Sequence, residues 1–467
     1  MQAILLGILT QTALIAQDRP ETVNPPTRTD TRNPEPAPPA PDVRIADALK
    51  QVSADRIRAT IQTLVGFGTR STLSAQDAAS IAAGRGIGAA REWIKAEFGR
   101  YSAQCGGCLE VKTDEFTQPA ADRVPQPTQI VNVYAVLKGI DPESSKRIVL
   151  VTGHYDSRNS ENNNIQADAP GANDDASGTA VSLECARVLS QLKFPATIIF
   201  LTVAGEEQGL YGSEHFAAIA HDQGWNLEAV LNNDIVGGDK SPGQDPTTVR
   251  VFSEGLPVAA DDAALHRIRR LGTENDSASR ELARYIASTG SLYDIGLRPL
   301  LVLRLDRFLR GGDHLSFNEK GFPAVRFTEF RENFDRQHQT IRTENGVPYG
   351  DLPQDVDFNY VARVARLNAA TLASLAFAPA PPANVKLDTS KLDNDSTLFW
   401  DASPGGRAAS YEVVWRPTNS SVWEFTRNVG TAVRATLPVS KDNVIFGVRA
   451  LDGSGHRSPA VVPEPAR

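Results

Sequence analysis

Sulfur is scarce in this chain: 467 residues carry three cysteines and one methionine. Two of the cysteines form Cys105-Gly-Gly-Cys108, and Cys185 stands alone in an apolar helical stretch. A zinc ribbon needs a second cysteine pair, which is missing, and a redox site needs a thioredoxin-like setting, which the flanking pattern does not supply. In an exported chain CGGC reads as a small local disulfide, and Cys185 as a buried small hydrophobe. Basic excess is lacking too, with 48 Lys and Arg against 56 Asp and Glu and a formal net charge of -8. That balance argues against a nucleic-acid partner and against an anionic membrane surface. Long apolar runs are also few. A membrane span needs roughly 20 apolar residues, and the longest candidate, MQAILLGILTQTALIAQ, is interrupted by Gln11 and Thr12. Residues 1–17 read as the apolar region of a signal peptide. They depart from that pattern in two ways: no Lys or Arg precedes the run, and Leu14-Ile15-Ala16 is a poor cleavage site. The expectation is a secreted or periplasmic protein with no membrane span.

What is present is enough apolar sequence, 41%, for a large core. The length suggests two or three domains. Residues 18–42 are rich in Pro, Thr, Asp and Arg and read as a disordered linker. From Val43 helical patterns appear, and strand-like runs then alternate with helical ones. VNVYAVLKG, RIVLVTGHY, ATIIFLTVAG, LEAVLNNDIV and PAVRFTE suit strands, while ASGTAVSLECARVLSQL, GLYGSEHFAAIAHDQ and VDFNYVARVARLNAATLASLAF suit helices. This alternation predicts an α/β domain over 43–378, with a mostly parallel mixed sheet sandwiched by helices. Residues 157–172 and 238–295 fit the pattern poorly and are expected to form the rim or lid of a site. At PAPPAN the composition changes, and residues 381–465 carry short alternating strands at regular spacing, as a small β-sandwich does.

The chemistry is concentrated at the ends of the apolar runs. His154 and Asp156 follow IVLVTG, Asp174 and Asp175 sit in PGANDDASG, Glu206 and Glu207 follow TIIFLTVAG, Asp234 follows AVLNN, and Asp313 and His314 sit in RGGDHLSF. Open α/β sheets build their sites at the carboxyl ends of strands, so convergence is expected from topology. Converging carboxylates repel, and one must protonate unless a cation is present. No Lys or Arg lies inside most of these short motifs. Two divalent metals would resolve the repulsion, and His with Asp and Glu is a donor set they choose. One metal would take His154, Asp174 and Asp234, and the other Asp174, Glu207 and His314. Asp156 would orient the second ring nitrogen of His154. Glu206 would then be free to act as general base.

The motifs GHYDS, PGANDDASGTA, AGEEQGLYGS, NNDIVG and GGDHLSF together resemble zinc metallopeptidase family M28, the dizinc aminopeptidases, over roughly residues 45–378. The resemblance implies His154, Asp174, Glu207, Asp234 and His314 as ligands of two zinc ions, with Glu206 as the base. It departs at Gly312, where the family usually has Ser. The C-terminal segment is similar to a fibronectin type III domain through Trp400, Tyr411 and FGVRALD, although Val444 stands where that fold usually places a tyrosine. The implied function is removal of the N-terminal residue from peptides with a free amino terminus. The fibronectin-like domain would be an accessory that packs on the peptidase or contacts a surface or polymer. Two rivals lie nearby in the fold, a mono-zinc glutaminyl cyclase and a carboxypeptidase; a third is a catalytically silent binding protein. The complete acidic set favours two metals, and the intact Glu206 argues against a silent protein. Outside this set, His215, His221, His266 and His456 are read as structural or surface residues, while His338, in NFDRQHQT after the last strand, can reach the site rim. Arg304, Arg307 and Arg310 are read as surface charges, with a substrate carbonyl or carboxylate as the alternative partner.

Overall fold

The computed structural model describes residues 40–467. The expected signal peptide and nearly all of the expected linker therefore lie outside the described residues. The described residues form one compact unit. Its centre is an eight-stranded sheet built from β1 (Leu109–Gln118), β2 (Thr128–Leu137), β3 (Arg147–His154), β4 (Thr197–Val203), β5 (Asn226–Asn233), β6 (Thr248–Ser253), β7 (Arg298–Val302) and β8 (Ala324–Glu329), in the order β1-β2-β4-β3-β5-β8-β6-β7. The pairs β3–β4, β3–β5, β5–β8 and β6–β7 are parallel; β1–β2, β2–β4 and β6–β8 are antiparallel. The mixed sheet expected from the sequence is present, with β4, β3, β5 and β8 parallel at its centre and a second parallel pair, β6 and β7, at one edge.

Side-chain alternation along the central strands explains the layers. Val149 and Val151 of β3, with Ile198 and Phe200 of β4, face helices Ala176–Leu189 and Phe358–Phe377 in the larger core. Leu150, Ile199 and Leu201 point the other way, toward Phe216, Ala217 and Phe317 of helices Tyr211–Asp222 and His314–Glu319. This is the period of two that a pleated strand imposes, applied to a strand that is apolar on both faces. Helix Phe358–Phe377 places Ala362, Ala365, Ala369, Ala373 and Ala376 in the buried layer, and such small residues bring the helix close to its neighbours.

Three strands of the sheet escape the sequence pattern. β1 is an edge strand, LEVKTDEFTQ, in which Glu110, Thr113, Glu115 and Thr117 are exposed, so it lacks an apolar run. β6 and β7 lie in or next to the stretch expected to be irregular, which also holds helices Asp262–Leu271 and Ala278–Leu292. A short hairpin, β9 (Arg342–Glu344) and β10 (Val347–Tyr349), follows β8.

The C-terminal strands are β11 (Ala383–Asp388), β12 (Ser396–Asp401), β13 (Ser410–Pro417), β14 (Phe425–Gly430), β15 (Arg434–Leu437), β16 (Val444–Leu451) and β17 (Glu464–Ala466). They form a four-stranded sheet, β15-β12-β11-β17, and a three-stranded one, β14-β13-β16. Val385, Leu398, Trp400 and Leu437 from the first sheet meet Tyr411, Val413, Phe446 and Val448 from the second in a separate core. This region is tied to the α/β part by buried polar contacts. Asp276 pairs with both Arg284 and Arg416, and the Trp423 indole donates to Glu281 at 3.0 Å. His456 sits between Asp452, at 2.8 Å, and Asp42, at 2.9 Å. Cys105 and Cys108 form the local disulfide, and Cys185 is free and buried, as expected.

Candidate active site

The site is assembled by one carboxylate that binds only backbone and a neighbouring hydroxyl. Asp175 accepts from the amides of His154 at 3.0 Å, Gly178 at 2.9 Å and Ile235 at 3.3 Å, with the Ser177 hydroxyl 3.4 Å away. It thereby caps helix Ala176–Leu189 and joins the end of β3 to the chain leaving β5. The joint needs glycine on both sides. A Cβ on Gly178 would lie 2.1 Å from the Asn233 carbonyl oxygen, and one on Gly153 2.4 Å from the Gly178 carbonyl carbon. Arg70 fixes the approach to the turn. Its buried guanidinium donates to the carbonyls of Leu64, Tyr155, Pro170 and Gly171.

Two groups of metal-ligand atoms converge at these strand ends, each within 4.8 Å: His154, Glu206 and Asp234, and Asp174, Glu207 and His338. Asp174 connects them. Its Oδ1 lies 3.2 Å from His154 Nε2, and its Oδ2 lies 2.9 Å from His338 Nε2. Glu207 Oε2 is 3.1 Å from the same His338 nitrogen. Gln337 donates to Asp174 Oδ2 at 3.0 Å, and Asp351 accepts the Asp174 amide at 2.7 Å. Asp156 stands behind the first group. Its Oδ2 accepts from the Thr72 hydroxyl at 2.9 Å and the Glu207 amide at 3.2 Å, while Oδ1 is 3.4 Å from His154 Nδ1. Glu206 is partly exposed, whereas His154 and Asp234 are buried.

The electrostatics are those of crowded, dry acids. Burial pushes the Glu206 carboxyl well above its usual range, with the charge of His154 opposing. Burial would raise Asp174 as well, yet His338 and His154 hold it well below the ordinary carboxylate value. Burial lowers His338, but Glu207 and Asp174 outweigh it and carry the imidazole up to about 10. The donor chemistry fits a divalent metal at each group. His154 Nε2 and Glu207 Oε1 are buried without a hydrogen-bond partner, and a histidine with carboxylates is a zinc-type set.

The structure corrects the sequence reading at His314. That residue opens helix His314–Glu319, is fully buried, and turns Nε2 to the Leu305 carbonyl at 3.0 Å and to Asp306 at 3.7 Å. It belongs to neither group, and His338 holds the place assigned to it. The signal for His338 was its position in the loop after β8, a strand end like the others. Asp313 is buried beside the site, pushed up to about 7 by desolvation, and is in neither group. The motifs also concealed a cation. Arg326, in β8, is fully buried, with Nη2 3.0 Å from Asp234 Oδ1 and Nη1 3.2 Å from Asp306. Gly312, where a serine was expected, packs so that a Cβ would lie 3.1 Å from Asp234 Oδ2. Of the non-glycine residues with left-handed backbone among those described, Leu210, Ile235 and His338 flank or belong to the two groups, and Leu309 lies just before Gly312. Such strain gathers at functional sites.

Residues 132–351 match the model of peptidase family M28. The chain is 48% identical over 430 residues to a probable zinc metalloprotease of Leptosphaeria maculans, covering 91% of this chain and 98% of that one. It is 49% identical over 434 residues to a probable zinc metalloprotease of Pyricularia oryzae, covering 91% and 85%. Among solved structures, LapB of Legionella pneumophila matches with a TM-score of 0.50 at 18% identity, over 73% of this chain and 77% of that one, a likeness of fold alone. The chain belongs to peptidase family M28.

Proposed function

We propose that the protein is an exported dizinc aminopeptidase that hydrolyses the N-terminal peptide bond of peptides. The observation that carries this reading is Asp174, whose two oxygens face two separate His-and-carboxylate groups. His154, Asp174 and Asp234 would hold one zinc ion, and Asp174, Glu207 and His338 the other. When bound, the pair supplies Lewis-acid chemistry to the scissile carbonyl and to water. The chain's own residues do the rest. Asp156 fixes the ring of His154 from behind. Glu206 is the partly exposed carboxylate among buried ones, so it can exchange a proton with substrate and serve as general base. Arg326 is already held by Asp234 and Asp306, so it is not free to receive the α-carboxylate that a carboxypeptidase must bind. The names carried by the relatives support zinc and proteolysis, and the apolar N-terminal run supports export. The C-terminal sandwich is read as a fibronectin type III-like accessory.

The test is metal content by mass spectrometry, with hydrolysis of a panel of aminoacyl substrates before and after chelation. Two zinc ions per chain and chelator-sensitive release of the first residue are expected. Glu206→Gln is expected to keep the metal content and lose nearly all turnover; a variant that stays active would remove Glu206 from the role of base.

A further inference from the structure

Apolar side chains stand in water on the two segments that lead into Gly312 and His338. Phe308 is 80%, Leu309 104% and Phe334 63% exposed. Every large exposed phenylalanine among the described residues lies in the two segments 303–309 and 330–341, which also expose Leu303 and Ile341. Scattered single apolar residues are normal on a surface, whereas a cluster marks a binding face. The backbone adds a second signal, because Leu309 has φ +55°. A leucine in that conformation with its side chain in solvent gains nothing from packing, and such strain gathers where a site is shaped.

Both segments are anchored to the two groups of ligand atoms. Gly312 packs against Asp234, and Leu309 is three residues before it, within about 11 Å along the chain. Phe334 is four residues before His338, within about 14 Å. The segments also meet each other. The Arg310 guanidinium lies 5.9 Å from the Phe334 ring and its Nη1 is 3.5 Å from Gln337 Oε1, and Gln337 in turn donates to Asp174. The Arg304 guanidinium lies over the Phe308 ring, 3.9 Å from its centre.

We infer that Phe308, Leu309 and Phe334 form a subsite for apolar side chains of the peptide downstream of the cleaved bond, an inference that rests on the aminopeptidase reading above. The geometry follows from exopeptidase action. An aminopeptidase holds only the first residue of its substrate before the scissile bond, so the rest of the peptide must run away from the two ligand groups toward solvent. There it meets rings and a leucine side chain, at two segments held against Asp234 and Asp174.

The test compares Leu-Phe-Phe with Leu-Ser-Ser on the zinc-loaded full chain and on Phe308→Ser/Leu309→Ser, following leucine release and, by calorimetry, binding. Burying an aromatic side chain is worth roughly a tenfold preference or more. The wild-type protein is expected to favour Leu-Phe-Phe by about that factor in kcat/KM, mainly through KM, and the double variant to fall to about twofold or less. A wild-type ratio near one, or a ratio that survives the double substitution, overturns the subsite. A wild-type chain that releases leucine from neither peptide contradicts the aminopeptidase reading, and the subsite is then decided by the same ratio in the binding measurement.

Discussion

Arg326→Met is the substitution whose consequence the structure specifies most fully. The guanidinium is fully buried and lies 3.0 Å from Asp234 and 3.2 Å from Asp306, whose side chains are 4% and 3% exposed. Burial would lower the arginine's pKa, yet the two carboxylates hold it well above the usual value, so the cation is present at every ordinary pH. Methionine preserves much of the stem and removes the charge. Two buried carboxylates then lose their shared partner. Breaking a buried pair from one side costs roughly 3–5 kcal/mol, and that is the loss expected in urea unfolding of the chelator-treated protein. Saturating zinc should recover part of it, because a metal at Asp234 replaces the missing cation there while Asp306 keeps only Arg307, 3.1 Å away. The assay is urea denaturation of wild type and variant by tryptophan fluorescence, with chelator and with excess zinc. A loss below about 1 kcal/mol without metal, the scale of an exposed pair, would refute the buried ion network. An equal loss with and without zinc would refute Asp234 as a metal ligand.

Three further outcomes are expected. His338→Ala should reduce bound zinc from about two to about one per chain in mass spectrometry, while His314→Ala should keep both ions; the reverse pattern would restore the sequence assignment. Gly178→Ala should destabilise the fold by roughly 3 kcal/mol or more, because its Cβ would lie 2.1 Å from the Asn233 carbonyl oxygen, and a variant with unchanged urea midpoint would contradict that close approach. His456 is lowered by burial but raised overall by Asp452 and Asp42, the same carboxylates being paired with Arg407 and Arg44. Its folded pKa is therefore above the unfolded value of about 6.5. The stability it contributes is complete below that unfolded pKa and is lost as pH rises through the folded one. The Tm gap between wild type and His456→Gln should shrink from pH 6 to pH 9, and a gap that widens would reverse the assignment.

The contrast between His338 and His314 shows which information lies in the chain. The strand-end rule placed His154, Glu206, Glu207 and Asp234 together because each comes after an apolar run, and apolar runs are legible; Asp174 was found through its PGANDDASG turn before a helix. The Asp-His pair at 313–314 looked equivalent, but the fold turns its imidazole away from the two groups, toward Leu305 and Asp306. His314 is the first residue of helix His314–Glu319, and its ring is taken by the Leu305 carbonyl. His338 comes after β8 through a polar loop with no periodicity, where only the strand-end rule applies. Arg326 was hidden for a different reason. In PAVRFTE it reads as one polar residue in a strand, and its partner Asp306 lies 20 residues away in an irregular segment. The edge strand β1 was missed because Glu110, Thr113, Glu115 and Thr117 face water and break up any apolar run.

The backbone, more than the ligand set, holds the site in shape. Asp175 is spent on three amides, Asp351 on the amides of Asn173 and Asp174, and Arg70 on four carbonyls. None of these side chains supplies an atom to either group of ligands, yet each fixes the turn from which a ligand departs. Burial pushes Asp351 up to about 7 and Asp175 well above its usual value. Such groups remain buried because they satisfy main-chain donors and acceptors that loops at strand ends would otherwise leave unpaired. The polar shell therefore belongs to folding, and the two groups it surrounds inherit their spacing from it. This is why a Cβ at Gly178, against Asn233 and Asp175, is expected to disturb the positions of Asp174 and Asp234 together: one helix start, capped by Asp175, is the common support of both.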